Sequence, residues 1–380
     1  MLNQTTAFRA STPGMADSNL NYGAPFGGGC CNQRGPKLRR YGSWMFRTGA
    51  VWWRIRELRS APPGQAGQDG QDDRVATFRS ALEQAEQLFD AASQVPLSTS
   101  PLLAFYGLSQ AGRAITAAWS DDSDWIPPSS HGISSTRGTN FAAVTVTSKR
   151  KGHFNTVSDA LSSASFGKAT LPELIGALPG VDAGFQFSGD VLRPLQVVSL
   201  GHSGGLLIPG LGPIRSWLCG LPESLLQADD RVQSITAFLG RYPTLAGWRF
   251  VPGFEPTPVQ RVADGWATQL EWPTEGAWLN SGLDRAAMTP PPGCDDMWVP
   301  TVIGEGVLAP IMIWWTVLLA LSTLVRYEPA GWALMTNVDE SPVAVSLDRL
   351  MQCALDDVPR HILQALCDPL EWKPARSEQG

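Results

Sequence analysis

Between Gly306 and Arg326 the chain runs nineteen residues, VLAPIMIWWTVLLALSTLV (307–325), without a charge. As a helix rising 1.5 Å per residue, such a segment matches the hydrocarbon thickness of a bilayer. It is therefore either a membrane span or the central helix of a folded core. Three features favour the core. Glu305 and Arg326 bracket the run closely, and no second run of this kind occurs in an otherwise globular sequence. Pro310 falls in what would be the first helical turn, where a missing N–H is harmless. The expectation is a buried helix over 306–326 and no membrane partner.

Composition supplies enough material to cover that helix. Hydrophobic residues make up 43% of the 380 residues and charged residues 17%, which suits one large folded domain or two ordinary ones. Fifteen tryptophans stand against five tyrosines, and a buried indole N–H needs an acceptor, so several should sit at element ends. The net charge is −6, which gives duplex DNA no general electrostatic attraction and leaves room for a local basic groove.

Cys30, Cys31, Cys219, Cys294, Cys353 and Cys367 contain no C-x-x-C pair. That spacing supports neither a zinc site nor a disulfide framework, and suits reduced thiols in the cytoplasm. The N-terminus, MLNQTTAFRASTPG, has no basic region followed by an apolar run, so no secretory signal is expected. His131, His153, His202 and His361 share no metal-binding spacing, so no metal is expected. His153 after Lys151-Gly152 reads as a turn residue, and His361 beside Arg360 as a solvent-facing helix residue. Neither G-x-x-x-x-G-K-[ST] nor a strand-anchored G-x-G-x-x-G is present, and no cofactor is expected.

Along the chain, residues 1–44 are rich in Gly, Asn, Ser, Thr and Pro and read as a disordered tail, with Met45 as an alternative start. A first helix is expected over 45–59. Over 72–95, Val75, Phe78, Leu82, Ala85, Phe89 and Ala92 form one apolar stripe, with Asp72 and Asp73 at the positive helix end. Pro96 ends it, and Ser100-Pro101 opens a second helix, apolar nearly all round, that runs to Trp119. The two make an antiparallel hairpin over 72–119. A mixed β region follows over 140–303. In it, 142–154 reads as strand, turn and strand, 170–178 as a short helix, 195–200 as a strand and 224–240 as a helix. Two short amphipathic helices close the folded part, which extends over 45–370, and 371–380 is a polar tail. The fold class expected is α+β, predominantly helical, with a small sheet inserted.

GHSGG at 201–205 fits the G-x-S-x-G elbow of a serine hydrolase and follows a strand-like segment. The elbow serine must open a helix, however, and LLIPGLGPI after Ser203 is rich in Pro and Gly. A glycine-rich turn explains the motif better.

Four stretches together resemble the YaaC-like family. They are SPLLAFYGLSQAGRA at 100–114, His131-Gly132, Gly152 and Phe154 with LPELIGALPG after them, and LSTLVRYEPAGW at 321–332. In the last, Arg326, Tyr327, Pro329 and Trp332 all match. Phe105-Tyr106 and Arg113 depart from the family's usual tyrosine pair and lysine. The helical hairpin followed by a His-Gly loop is also similar to HEPN-type domains. That similarity implies a binding or regulatory role toward RNA, a nucleotide or a partner protein, in stress or antiphage defence. HEPN ribonucleases place an Arg four to six residues before a His, and no His here has that neighbour. The resemblance therefore implies a non-catalytic module. A divergent ribonuclease using Arg113 and His131, and a hydrolase using Ser203, remain the alternatives.

Arg113, His131, Arg326 and Tyr327 are the candidate binding residues. Two apolar helices bury themselves most easily against each other, which would bring Arg113 and Arg326 together, and the loop leaving Trp119 can carry His131 back over them. Two cations and a histidine in one cleft call for an anion.

Overall fold

The computed structural model describes residues 39–68, 72–122, 125–138, 140–181, 184–185, 191–199, 214–251, 256–259, 265–272, 297–304 and 306–367. The calls on residues 1–38, Cys30, Cys31, His202, Ser203, Cys294 and 371–380 lie outside the described residues. The first helix, α1 (Arg39–Ser60), begins six residues before Met45, so 39–44 belong to a helix and not to the expected tail. Trp52 and Ile55 bury its inner face. Arg56–Glu86 (2.6 Å) and Arg59–Glu83 (2.8 Å) join it to α2 (Asp72–Gln94). The α2 stripe is inward as expected, from Phe78 to Ala92.

The next helix, α3 (Ser100–Trp119), is packed on most sides. Ser100 does not cap it. Its hydroxyl donates instead to the Ala92 carbonyl (2.8 Å), tying the end of α2 to the start of α3. At the other end, the buried Arg74 guanidinium donates to the carbonyls of Ala117, Ser120 and Asp122 and lies over the Trp125 ring. That closes the last turn of α3, whose carbonyls have no intrahelical donor.

The expected single small sheet is two antiparallel sheets. The first joins β1 (Ile133–Ser135), β2 (Thr145–Ser148) and β3 (Lys168–Thr170) in that order. The expected second strand after β2 is a helix, α4 (His153–Ala160), because His153, Phe154, Val157 and Ser158 repeat at helical spacing and bury one face. A capping box between Thr170 and Glu173 opens α5 (Leu171–Gly176). The second sheet comprises β4 (Leu195–Ser199), β5 (Ile214–Leu221), β6 (Arg249–Phe250), β7 (Thr257–Val259), β8 (Gly265–Trp272) and β9 (Met297–Val299). Its order is β6-β8-β5-β4-β9, with β7 also on β8. Between β5 and β6, α6 (Arg231–Leu239) is capped by Asp230, which accepts from the Gln233 amide. Phe238 and Tyr242 pack on Leu195, Leu218 and Leu270 as a separate small core.

The uncharged segment forms α7 (Pro310–Tyr327), buried from Pro310 through Leu324. Among the described residues it is one helix long and apolar enough to cross a membrane, and 83% of it is buried inside the protein. It runs antiparallel to α3, since Trp315 meets Gly112 and Arg326 meets Tyr106. Then α8 (Pro329–Thr336) places Trp332, whose indole donates to Leu97 in the α2–α3 turn (3.3 Å). The two C-terminal helices expected from sequence are one, α9 (Ala344–Cys367), continuous through Pro359. A proline removes one helical hydrogen bond, and here the buried face on both sides of it holds the helix together. His361 is consequently buried, not solvent-facing.

Burial holds both interior histidines near a pKa of about 4, His153 and His361 alike, against 6.5 ordinarily. Between those values the unfolded chain binds more protons than the folded one, so stability falls as pH drops from 6.5 to 4, by up to about 3 kcal/mol for each. Asp357, pushed up to about 6 by burial, opposes this between 3.8 and 6. Urea midpoints should therefore fall between pH 7 and pH 4.5, and His361→Met should make the fall smaller. An unchanged fall would mean that His361 is not held neutral. The helix contact makes a second prediction. A methyl group on Gly112 would come within 2.4 Å of Trp315, whereas one on Gly49 meets nothing within 4 Å. Gly112→Ala should lower stability by about 1–3 kcal/mol at unchanged denaturant m-value, and Gly49→Ala should not.

Candidate functional site

Along α3, Tyr106, Gln110 and Arg113 are half-buried while nearly all around them is buried. Their spacing of four and three puts them in one line on the helix. Arg326, in the last turn of the antiparallel α7, donates from Nη1 to the Tyr106 hydroxyl (3.1 Å). The next residue, Tyr327, is 46% exposed. Its ring carries two guanidinium groups, Arg137 at 4.0 Å and Arg326 at 4.8 Å from its centre.

His131 stands over this line because its backbone is fixed on both sides. The first two amides of α4, those of His153 and Phe154, donate to the carbonyls of Ser130 (2.7 Å) and His131 (3.0 Å). The Lys149 amide donates to Gly132 (2.8 Å). Gly132, at φ +76°, lies directly on Gly152, so that a methyl group on either would meet the other's backbone at 3.0 Å or less. The glycines are there for close approach and, at Gly132, for a left-handed conformation. The His131 ring packs 5.8 Å from Phe105.

The charges converge on His131. Its pKa is lowered from 6.5, first by desolvation, then by Arg326 and Arg113. His153, beneath it, is lowered by burial first and further by Arg113 and His131, against a hydrogen bond to Ser109 that raises it. The His153 Nε2 is 2.8 Å from the Ser109 carbonyl, which can only accept, so Nε2 carries the proton and Nδ1 is left buried without a partner. The expected turn role for His153 is thereby corrected. It is a buried support between α3 and Trp315, with ring centres 5.0 Å apart.

The structure thus gathers Arg113, His131, Arg326 and Tyr327. It adds Tyr106 and Arg137, which the sequence reading missed. Tyr106 had a signal, since it precedes Arg113 by two helical turns. Arg137 had none, because only the course of the chain after β1 brings it to Tyr327. Among the described residues, Arg113, Arg137 and Arg326 form no ion pair with a carboxylate, and the Arg113 guanidinium has no hydrogen-bond partner. Glu328, beside Tyr327 in sequence, pairs with none of them. Such an arrangement can bind an anion through charge-assisted forks. Among the described residues no group of His, Cys, Asp and Glu could hold a metal ion. Ser203 lies outside them.

The model of the YaaC-like protein family matches residues 61–234 and 258–366. The chain belongs to that family. Neither a curated protein nor a solved structure matches it.

The glycine contact that fixes His131 can be tested directly. Gly132→Ala should cost about 1–3 kcal/mol through its positive φ and its contact with Gly152. It should also move the His131 imidazole resonance in NMR spectra. A variant as stable as the parent, with that resonance unmoved, would contradict the geometry.

Proposed function

We propose that this protein is a non-catalytic, HEPN-like helical binding module in the cytoplasm. It recognises a phosphate-bearing ligand, single-stranded RNA or a nucleotide, through Arg113, His131, Arg326 and Tyr327. The observation that supports this most is the set of three guanidinium groups around His131 and Tyr327, none with a carboxylate partner among the described residues. Arginine forks fit phosphate oxygens, and exposed rings beside cations are what single strands stack on. Duplex DNA is not the ligand of this reading, because a net charge of −6 gives it no general attraction and the three arginines form a local group. The free, buried thiol of Cys219 supports the cytoplasmic part. The hairpin of α2 and α3 followed by the His131 loop supports the HEPN-like part. A partner protein that presents an anionic group would use the same residues.

One observation favours a second reading, a divergent ribonuclease. His131, its pKa lowered by desolvation and then by Arg326 and Arg113, favours the neutral imidazole, which can accept a proton. Incubation with total RNA, with His131→Ala as control, separates the two: cleavage lost in the variant supports the enzyme, and intact RNA supports the binding module. For binding itself, a labelled oligoribonucleotide should lose about tenfold in affinity on Arg113→Ala or Arg326→Ala, the scale of one charge-assisted contact. The dependence on salt should also become shallower. Equal affinity in all three proteins would refute the assignment of the site.

A further inference from the structure

We infer that the ligand presents a terminal phosphate, a phosphomonoester dianion, and not an internal phosphodiester. This rests on the anion-binding reading above and deepens it. The first argument counts oxygens. A phosphomonoester has three terminal oxygens and a diester within a strand has two. Around His131 and Tyr327 there are three guanidinium groups, Arg113, Arg137 and Arg326, each without a carboxylate among the described residues. A monoester can give each of them an oxygen of its own. A diester offers two, so two guanidinium groups must share one oxygen.

The second argument counts charge. Two of the guanidinium groups share one tyrosine ring, at 4.0 and 4.8 Å from its centre, and the third acts on the same histidine. A single negative charge would leave two of the three positive charges uncompensated, and a dianion leaves one. His131 adds no fourth charge while it is neutral.

The third argument follows the protons. The Tyr106 hydroxyl accepts from Arg326 at 3.1 Å, so its own hydrogen is directed elsewhere and is free to donate to an anion. The Arg326 fork keeps its remaining N–H groups after that bond. Donors are therefore supplied from α3, from α7 and from the chain after β1.

The experiment uses the full chain and four probes: one oligoribonucleotide bearing a 5′-phosphate, a 3′-phosphate or neither, and a nucleoside monophosphate. Affinities are read by calorimetry at fixed salt, and inorganic phosphate is the competitor. A phosphorylated end should bind about tenfold more tightly than the unphosphorylated strand. Inorganic phosphate should displace it, and Arg326→Ala should abolish the difference. Arg326→Lys, which keeps the charge and loses the fork, should restore it only in part. Comparison of the 5′ and 3′ ends and the free nucleotide identifies the source of the monoester. Equal binding of phosphorylated and unphosphorylated strands would overturn the inference and leave the anion site standing. Binding of no probe, inorganic phosphate included, would overturn both.

Discussion

Trp315 lies so close to Gly112 that the two helices bearing them touch almost backbone to ring. An uncharged helix can be buried only against a partner that is itself uncharged along the contact. α3 meets that condition, with Ala104, Leu108, Ala111, Ala114, Ile115 and Ala118 all buried. The antiparallel pair then sets the rest. It brings the C-terminal turn of α7, with Arg326 and Tyr327, beside the first half of α3. It leaves a slot at Gly112 where Trp315 and His153 enter together, and His153 ties α4 to α3 through Ser109. Because α4 takes its first two amide acceptors from Ser130 and His131, the same contact fixes the loop that carries the candidate site.

Two groups of arginines stand apart among the described residues. Arg74 is buried and meets three carbonyls and a tryptophan face, while Arg56 and Arg59 have glutamate partners. These side chains hold helices together. Arg113, Arg137 and Arg326 gather instead about a histidine and two tyrosines, without acidic partners among the described residues. Clustered cations repel one another and cost stability, and folded chains keep such costs mainly where a ligand offsets them.

Much of this could be read from the residues alone. The α2 stripe, the uncharged core helix and its packing on α3 follow from hydrophobic periodicity and from the need of two apolar helices to cover each other. What could not be read depended on tertiary override. Pro359 looks like a helix end, yet burial on both sides carries α9 through it and takes His361 inside. His153 follows Lys-Gly, a turn signal, but Gly152 is there to let Gly132 approach, and the helix begins one residue later. The division of the strands into two sheets depends on long-range pairing between β4 and β9 and between β5 and β8, for which local pattern holds no information. Arg137 reaches Tyr327 through the same kind of long-range contact.

The central claim is that Arg113 and Arg326 act together on His131 and leave a place for an anion. The imidazole resonance of His131, followed by proton NMR across pH with and without inorganic phosphate, reports on it directly. The account predicts a pKa below 6.5 without phosphate, because burial and both cations oppose protonation, and a clear rise when phosphate is added. A pKa at or above 6.5 that phosphate leaves unmoved would contradict it.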